Sequence, residues 1–455
     1  MKISIQRFKS IDSVKDFQME NLSIMAGANS SGKSSLTQSL LLLKQTLESS
    51  SDDVLFLQGP YVQGRQLSDL IHNHSAKGFS VKLDWSRAEL PLNDIDEMDK
   101  YLADGTSRII GISLSVAFKQ IESKIRVIDY ALNLKGDETS AHVTLHLNSL
   151  TKHYEIETDM PSIYNDAKDK SPQAKKVTIK ECLVDFMNFM PVFVTTKDAD
   201  AKRTDFTLMV NKVFRSLLSK YFSKIFYMGP NRVSPVLDRM YQMTQMGDKV
   251  DSNGLNTRFI LAEKKNVQFG NKTLSVQIND WMRRLNLASG LNSLKDSMNQ
   301  YRTEVSVKGD LKVDLCNTGF GNSQILPILV QGIMTPSNGM FIVEDPEVHM
   351  HPSVQAGMAD FFIAMALEGK TVVVETHSDH IITRLRRRIS ENVELLPYIH
   401  IYFVENTNGC SDYISLQLNE DADFKDMAIL PKGFMDSQDE DFREIIKNKL
   451  KKQTL

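Results

Sequence analysis

Residues 2–8 (KISIQRF) alternate apolar and polar positions, the period of a half-buried strand. Strands are expected again near 14–20 and at 22–26 (LSIMA). The last of these runs into a Gly/Ser-rich turn. Beyond it Leu36, Leu40, Leu43 and Leu47 recur at helical spacing, which predicts a helix with one buried stripe. From about 79 to 158 the alternation returns in FSVKLDW, IIGISLSVAF, KIRVIDYALNL and HVTLHL, the pattern of an antiparallel meander. From about 160 to 222 the chain reads as polar and helical, with a weak core signal. Strand and helix patterns then alternate over 312–404. The runs 340–343 and 371–374 there are apolar strand candidates, as in parallel strands buried on both faces.

These patterns divide the chain into five expected stretches. They are an N-terminal lobe at 1–75, an antiparallel β meander at 76–158, a helical insertion or arm at 159–222, a C-terminal lobe at 223–430, and a helical tail at 431–455. The fold class is α/β. With 455 residues the chain is long enough for several subdomains. Cys182, Cys316 and Cys410 are too few and too scattered for a disulfide framework or a zinc site, which suits a reducing, cytoplasmic setting. No apolar run has the length of a membrane span. A formal charge of −3 does not support nucleic-acid binding through overall charge; a local basic patch leaves DNA open.

GANSSGKS at 27–34 matches G-x-x-x-x-G-K-[ST] without a gap. Glycines let the backbone approach a ligand closely, and the following helix start carries partial positive charge. Gly27, Asn29, Ser30, Ser31, Gly32, Lys33, Ser34 and Ser35 would cradle the phosphates of ATP. Lys33 would reach the β- and γ-phosphates and the Ser34 hydroxyl would bind Mg²⁺. A plain strand–turn–helix corner is the rival reading, and the apolar strand before it and the amphipathic helix after it argue against that.

An ATPase built on such a loop also needs acids at the end of a neighbouring buried strand. MFIVEDPE (340–347) offers Glu344 as an Mg²⁺ acid and Asp345 to polarise the attacking water. TVVVETHS (371–378) places His377 at another strand tip, where it can hydrogen-bond the γ-phosphate or the water. The pair His349 and His351 reads as structural, since no further His/Cys cluster accompanies it. TGFGNSQ (318–324) opens a helix with two glycines, a second phosphate-binding candidate. One nucleotide seldom needs two such loops from one subunit, so this one points to a second copy closing over the nucleotide. The basic run 384–388 reads first as a solvated helix face, with phosphate or an acidic partner as the alternative.

In this order the motifs resemble the ABC-type ATPases of the RecF/SMC and OLD (overcoming lysogenization defect) group. The resemblance rests on FKSIDSVKDFQMENLSIMAGANSSGKSSL, YMGPNRVSP (227–235), GFGNSQILPILVQ, FIVEDPEVHMHPSVQ, ETHSDHII and the C-terminal LPKGFMDSQDEDF. It covers about 1–75 and 225–440, and the block 79–222 carries none of it. It implies a head in which two copies sandwich two MgATP. Glu344, Asp345 and His377 would be the catalytic residues, with Ser34 and Glu344 on the metal. Gln58 would be the Q-loop glutamine. Gly319, Gly321, Ser323 and Gln324 would act in trans on the partner's nucleotide. Asp345 stands where this group usually has Glu, so turnover is expected to be slow, with ATP serving more as a clamp than as fuel.

Little sequence follows the ATPase motifs here and no acidic nuclease constellation stands out in it, so no nuclease domain is expected. The resemblance therefore implies a dimeric, or higher even-numbered, ATP-dependent switch that controls a separate effector in anti-phage defence. The alternative is a stand-alone RecF-like ATPase of DNA repair or recombination. A transporter subunit or a P-loop kinase explains the motif set less well.

Overall fold

The computed structural model describes residues 1–102, 107–160, 176–197, 203–207, 209–232, 247–295, 301–307 and 311–425. The expected tail at 431–455 and the LPKGFMDSQDEDF segment lie outside these residues, as does part of 159–222. The fold is mixed α/β and divides into two compact units, 1–19 with 35–225, and 20–34 with 226–455. Among the described residues no helix is long and apolar enough to cross a membrane.

The chain opens with β1 (Lys2–Phe8), β2 (Ile11–Gln18), β3 (Leu22–Ala26) and α1 (Lys33–Glu48). β1 and β2 belong to the first unit, where they pair with β4 (Phe79–Ser86), β5 (Ile109–Ile121), β6 (Lys124–Gly136), β7 (Ser140–Leu147) and β8 (Tyr154–Thr158). The sheet continues through β9 (Val177–Met187), β10 (Met190–Lys197) and β11 (Arg203–Thr207). Its ten strands run in the order β11-β10-β9-β8-β7-β6-β5-β4-β1-β2, every neighbouring pair antiparallel. The meander is thus the body of this sheet. Alternating residues of its strands are buried, and Phe8, Phe79, Phe118 and Phe189 form a chain of ring contacts at 5.2, 5.1 and 6.5 Å.

The stretch expected to be helical divides. Residues 177–207 supply three strands, and the helical part is α3 (Met209–Phe222), while α2 (Leu92–Met98) lies within the meander. β9 hid its nature because it is mostly solvated: in VTIKECLVDFM only Cys182 is fully buried, so no apolar alternation shows. In α1 burial exceeds one stripe, since Leu41 and Leu42 are buried as fully as Leu36 and Leu40.

The second unit holds a six-stranded sheet, in which β3 is joined by β12 (Ile225–Met228), β18 (Met340–Glu344), β19 (Thr371–Thr376), β20 (Ile399–Thr407) and β21 (Cys410–Leu416). Small hairpins and short sheets, β13 (Gln268–Phe269) to β14 (Lys272–Thr273) and β15 (Gly290–Lys295), β16 (Tyr301–Ser306), β17 (Lys312–Asp314), lie between them with α4 (Thr257–Glu263) and α5 (Leu274–Arg284). The large sheet has the order β12-β18-β19-β3-β20-β21. β18, β19, β3 and β20 are parallel, and β21 closes the edge antiparallel. α6 (Phe320–Met334), α7 (Pro352–Leu367) and α8 (Asp379–Glu391) follow or connect these strands. LSIMA and MFIVE are buried at every position, as the parallel arrangement requires. Register pairs Glu344 with Glu375 and Ala26 with Thr376. The ends of β18, β19 and β3 are therefore level, and the residues just beyond them, Asp345, His377 and Gly27, meet at one edge. Open α/β sheets bind ligands outside the carboxyl ends of their strands.

Candidate functional site

The phosphate loop leaves β3 at Gly27, whose φ is +153°. A Cβ there would stand 2.3 Å from the Val404 carbonyl oxygen of β20, so only glycine fits between the two backbones. Ser30 and Gly32 take φ of 62° and 95°, which turns the loop back on itself. Two hydroxyls of β21 brace it: Ser411 Oγ donates to the Ser31 carbonyl at 2.6 Å and Tyr413 Oη to the Gly32 carbonyl at 2.7 Å. Asn29 and Ser30 are exposed, whereas Ser31 is buried, its Oγ without a hydrogen-bond partner among the described residues.

Lys33 is buried and its Nζ donates to the Gly27 and Ala28 carbonyls at 3.1 and 2.9 Å. Nζ is also 2.9 Å from His377 Nε2. An ammonium carries no lone pair, so this ring nitrogen accepts and His377 is neutral. Burial first, then the Lys33 charge, holds the His377 pKa below its ordinary value; Asp345 and a hydrogen bond to the Gly27 backbone oppose the fall. Burial likewise lowers the Lys33 pKa, against the pull of Asp345, Glu375, Glu347 and Glu344.

Both acids at the end of β18 stand at this edge. Glu344 is buried and takes a hydrogen bond from Tyr227; burial and the nearby Glu344, Glu375 and Asp345 push the Tyr227 hydroxyl pKa far up. Asp345 is half-buried, with Oδ1 3.9 Å from His377 Nε2. Its φ is +44°, a left-handed conformation that costs about 1–3 kcal/mol outside glycine and persists only when the surroundings fix it.

Four residues beyond the expected set join the site. Glu375, at the end of β19 and only 1% exposed, accepts the Ser34 hydroxyl hydrogen bond at 2.6 Å. Glu347 accepts from Thr376 Oγ1 at 2.8 Å and from the His377 backbone N–H, and burial raises its pKa. Tyr227 is the third. Arg232, also buried, donates to backbone carbonyls of the β18 end. The strings ETHS, EDPE and YMGPNR contained all four, but strand-end register, not spacing, brings them in.

The second glycine segment starts α6. Gly319 is the helix N-cap, and a Cβ there would meet nothing within 4 Å. Gly321 lies where a Cβ would stand 3.1 Å from the His349 carbonyl oxygen, so this helix start packs closely on the turn after β18. Ser323 and Gln324 are buried, and Gln324 Nε2 donates to the Arg232 carbonyl at 3.4 Å. Ser35 and Gln58 belong to the first unit. The Ser35 hydroxyl is 2.8 Å from that of Ser10, and Gln58 is exposed, bridged to Gln63. His351 caps α7, accepting from the Ser353 N–H at 3.2 Å, which fits its structural reading. Among the described residues no group of three or more His, Cys, Asp and Glu is placed to hold a metal ion by itself.

The donor set suits MgATP. Hydroxyl and carboxylate oxygens are the hard ligands Mg²⁺ prefers, and it usually takes only one or two carboxylates plus phosphate oxygens. Ser31 Oγ is a buried polar atom whose demand a phosphate oxygen would meet.

The family model described as AAA ATPase domain (AAA_15) matches residues 1–382. No curated protein matches the chain. Among solved structures, the Smc head bound to the C-winged helix domain of ScpA is 12% identical, with 92% of this chain and 98% of that one covered and a TM-score of 0.46. An Smc head with an extended coiled coil, bound to the C-terminal domain of ScpA from Pyrococcus furiosus, is 11% identical, with coverage of 91% and 96% and a TM-score of 0.43. The SMC head domain from Thermotoga maritima is 10% identical, with coverage of 92% and 98% and a TM-score of 0.37. The chain belongs to the AAA_15 family of AAA ATPase domains, and it binds and hydrolyses ATP.

Proposed function

We propose that this ATPase is a dimeric switch, cytoplasmic, whose ATP-bound state controls a separate effector protein, a nuclease or toxin, in anti-phage defence. The observation that carries the reading is the carboxylate at the end of β18. Asp345 is one methylene shorter than glutamate and sits in a left-handed turn, leaning toward His377. A short, constrained carboxylate suits infrequent turnover and a long-lived bound state.

Within the site, Lys33 binds the β- and γ-phosphates, and Asp345 accepts the proton of the attacking water while neutral His377 orients it. Ser34 and Glu344 would hold Mg²⁺, which when bound neutralises charge on the β- and γ-phosphate oxygens. Glu375 lies behind Ser34 and fixes the direction of its hydroxyl. Gly319 and Gly321, at an exposed helix start, would meet the partner copy's nucleotide.

Removing the Glu375 charge should loosen Ser34 and leave the phosphate cradle intact. Glu375→Gln is expected to raise the Mg²⁺ concentration needed for half-maximal ATP binding by about tenfold, the size expected for an outer-sphere partner. Affinity at saturating Mg²⁺ should be unchanged. A fluorescent-nucleotide titration over a range of Mg²⁺ reads both, and an unaltered Mg²⁺ requirement would remove Glu375 from this role.

The RecF-like alternative loses its basic patch. Arg384 and Arg388 both bond Asp360, at 2.8 and 2.6 Å; Arg386 pairs with Asp423 at 2.9 Å and Arg387 with Glu391 at 2.8 Å. Three acids of the chain thus hold the four arginines, which leaves about one net charge to release counterions from DNA. Native mass spectrometry of the complex purified from its own host with MgATP tests the proposal. A second stoichiometric polypeptide supports effector control. A bare homodimer whose hydrolysis is stimulated by duplex DNA supports the alternative.

A further inference from the structure

We infer that Arg232 is a positioning residue for hydrolysis, holding Asp345 in the left-handed turn that aims its carboxylate. The inference rests on the reading of Asp345 as the carboxylate that activates water.

Arg232 spends its guanidinium on three backbone carbonyls. Nη1 donates to Gly229 at 2.9 Å and to Glu344 at 3.1 Å, and Nη2 donates to Asp345 at 2.9 Å. Two of these oxygens belong to consecutive peptide groups, on either side of the Asp345 φ and ψ. The planar fork thus spans the peptide groups on either side of a left-handed residue, the first of the turn. The Asp345 N–H is fixed from the other direction, donating to the Glu375 carbonyl at 2.9 Å. Its carbonyl takes a second bond from the Val348 N–H at 3.3 Å. With both of its backbone polar groups held, the left-handed turn is over-determined, as a strained functional residue requires.

A purely structural tie would not need an arginine at this place. The side chain is 6% exposed, and burying a guanidinium is costly. Burial lowers its pKa to about 10, and Asp345, Glu347 and Tyr227 work against that fall. A neutral donor would satisfy a carbonyl more cheaply. What only a guanidinium supplies is two parallel donors in one plane, reaching carbonyls of adjacent residues, together with a positive charge beside the carboxylates. Gln324 meets the Arg232 carbonyl, so Arg232 also ties the α6 start to the β18 end. Arg232 itself reaches no reacting atom and acts through Asp345.

The test uses the full chain with Arg232→Lys, Arg232→Ala and Asp345→Asn, and the Lys variant combined with Asp345→Asn. Fluorescent-nucleotide titration reads MgATP affinity, and single-turnover hydrolysis reads the chemical step. Misplacement of a reacting group by about 1 Å can cost 10²-fold. Arg232→Lys is therefore expected to lose about 10²-fold in rate at an affinity within about threefold of the parent. That loss should vanish in the Asp345→Asn background, and millimolar guanidinium should restore part of the Arg232→Ala rate. Affinity and rate falling together, an undiminished loss in the Asp345→Asn background, or no loss in a folded variant would each overturn the inference. If neither Arg232 variant folds, the residue belongs to the core and the positioning role falls. An Asp345→Asn protein that hydrolyses ATP normally would overturn the underlying assignment, and that result is seen before any Arg232 variant is made.

Discussion

Lys33→Ala is expected to abolish ATP binding while leaving the protein folded. The ammonium bonds two carbonyls of the phosphate loop, and Asp345, Glu375, Glu347 and Glu344 all act on it. Without it a triphosphate would approach four carboxylates with no ammonium at the loop to offset them. Losing one side of a buried charge pair costs about 2–5 kcal/mol, or roughly 30- to 5,000-fold in affinity. Folding should not suffer, because burying a lysine is itself unfavourable and its removal relieves that cost. A nucleotide titration and a thermal melt on the same sample give the two readings. Binding retained within a few-fold would mean that 27–35 is not the nucleotide cradle.

The second large effect is expected at Asp345. Asp345→Asn keeps the size of the side chain, and asparagine tolerates a left-handed φ, so the turn and the Arg232 contacts should survive. The variant loses the ability to accept a proton. General-base catalysis contributes about 10²–10⁴-fold, and single-turnover hydrolysis should fall by that amount with ATP affinity unchanged. If ATP clamps two copies together, the variant should persist as an ATP-bound dimer in native mass spectrometry. A normal rate would pass the role to another acid. Glu347 is the weaker heir, since Thr376 and the His377 backbone already hold it.

How much of this could be read along the chain follows from how the contacts are made. The phosphate loop is contiguous, so the spacing of Gly27, Gly32, Lys33 and Ser34 carries its geometry. The β18 acids and His377 announce themselves as polar residues at the tips of strands with apolar centres. Glu375 does so too, but nothing in sequence places it against Ser34 rather than in a solvated turn; the parallel register of β18, β19 and β3 does that. Arg232 is harder, because its partners are main-chain carbonyls, which have no residue type to read. The strands at 177–207 escaped for the opposite reason, since a solvated sheet face leaves no apolar period. The paired arginines of α8 looked like a basic patch because two of their three acids, Asp360 and Asp423, come from elsewhere in the fold.

β21 is the last strand of its sheet, and such edges are where a sheet opens first in local unfolding. Here Ser411 and Tyr413 of that edge clasp two carbonyls of the phosphate loop. Opening of the β20–β21 hairpin would thereby also release two carbonyls of the loop. The free energy of nucleotide binding is shared with the hairpin, and linkage makes the exchange reciprocal. Whatever steadies or frays this edge also sets how tightly ATP is held.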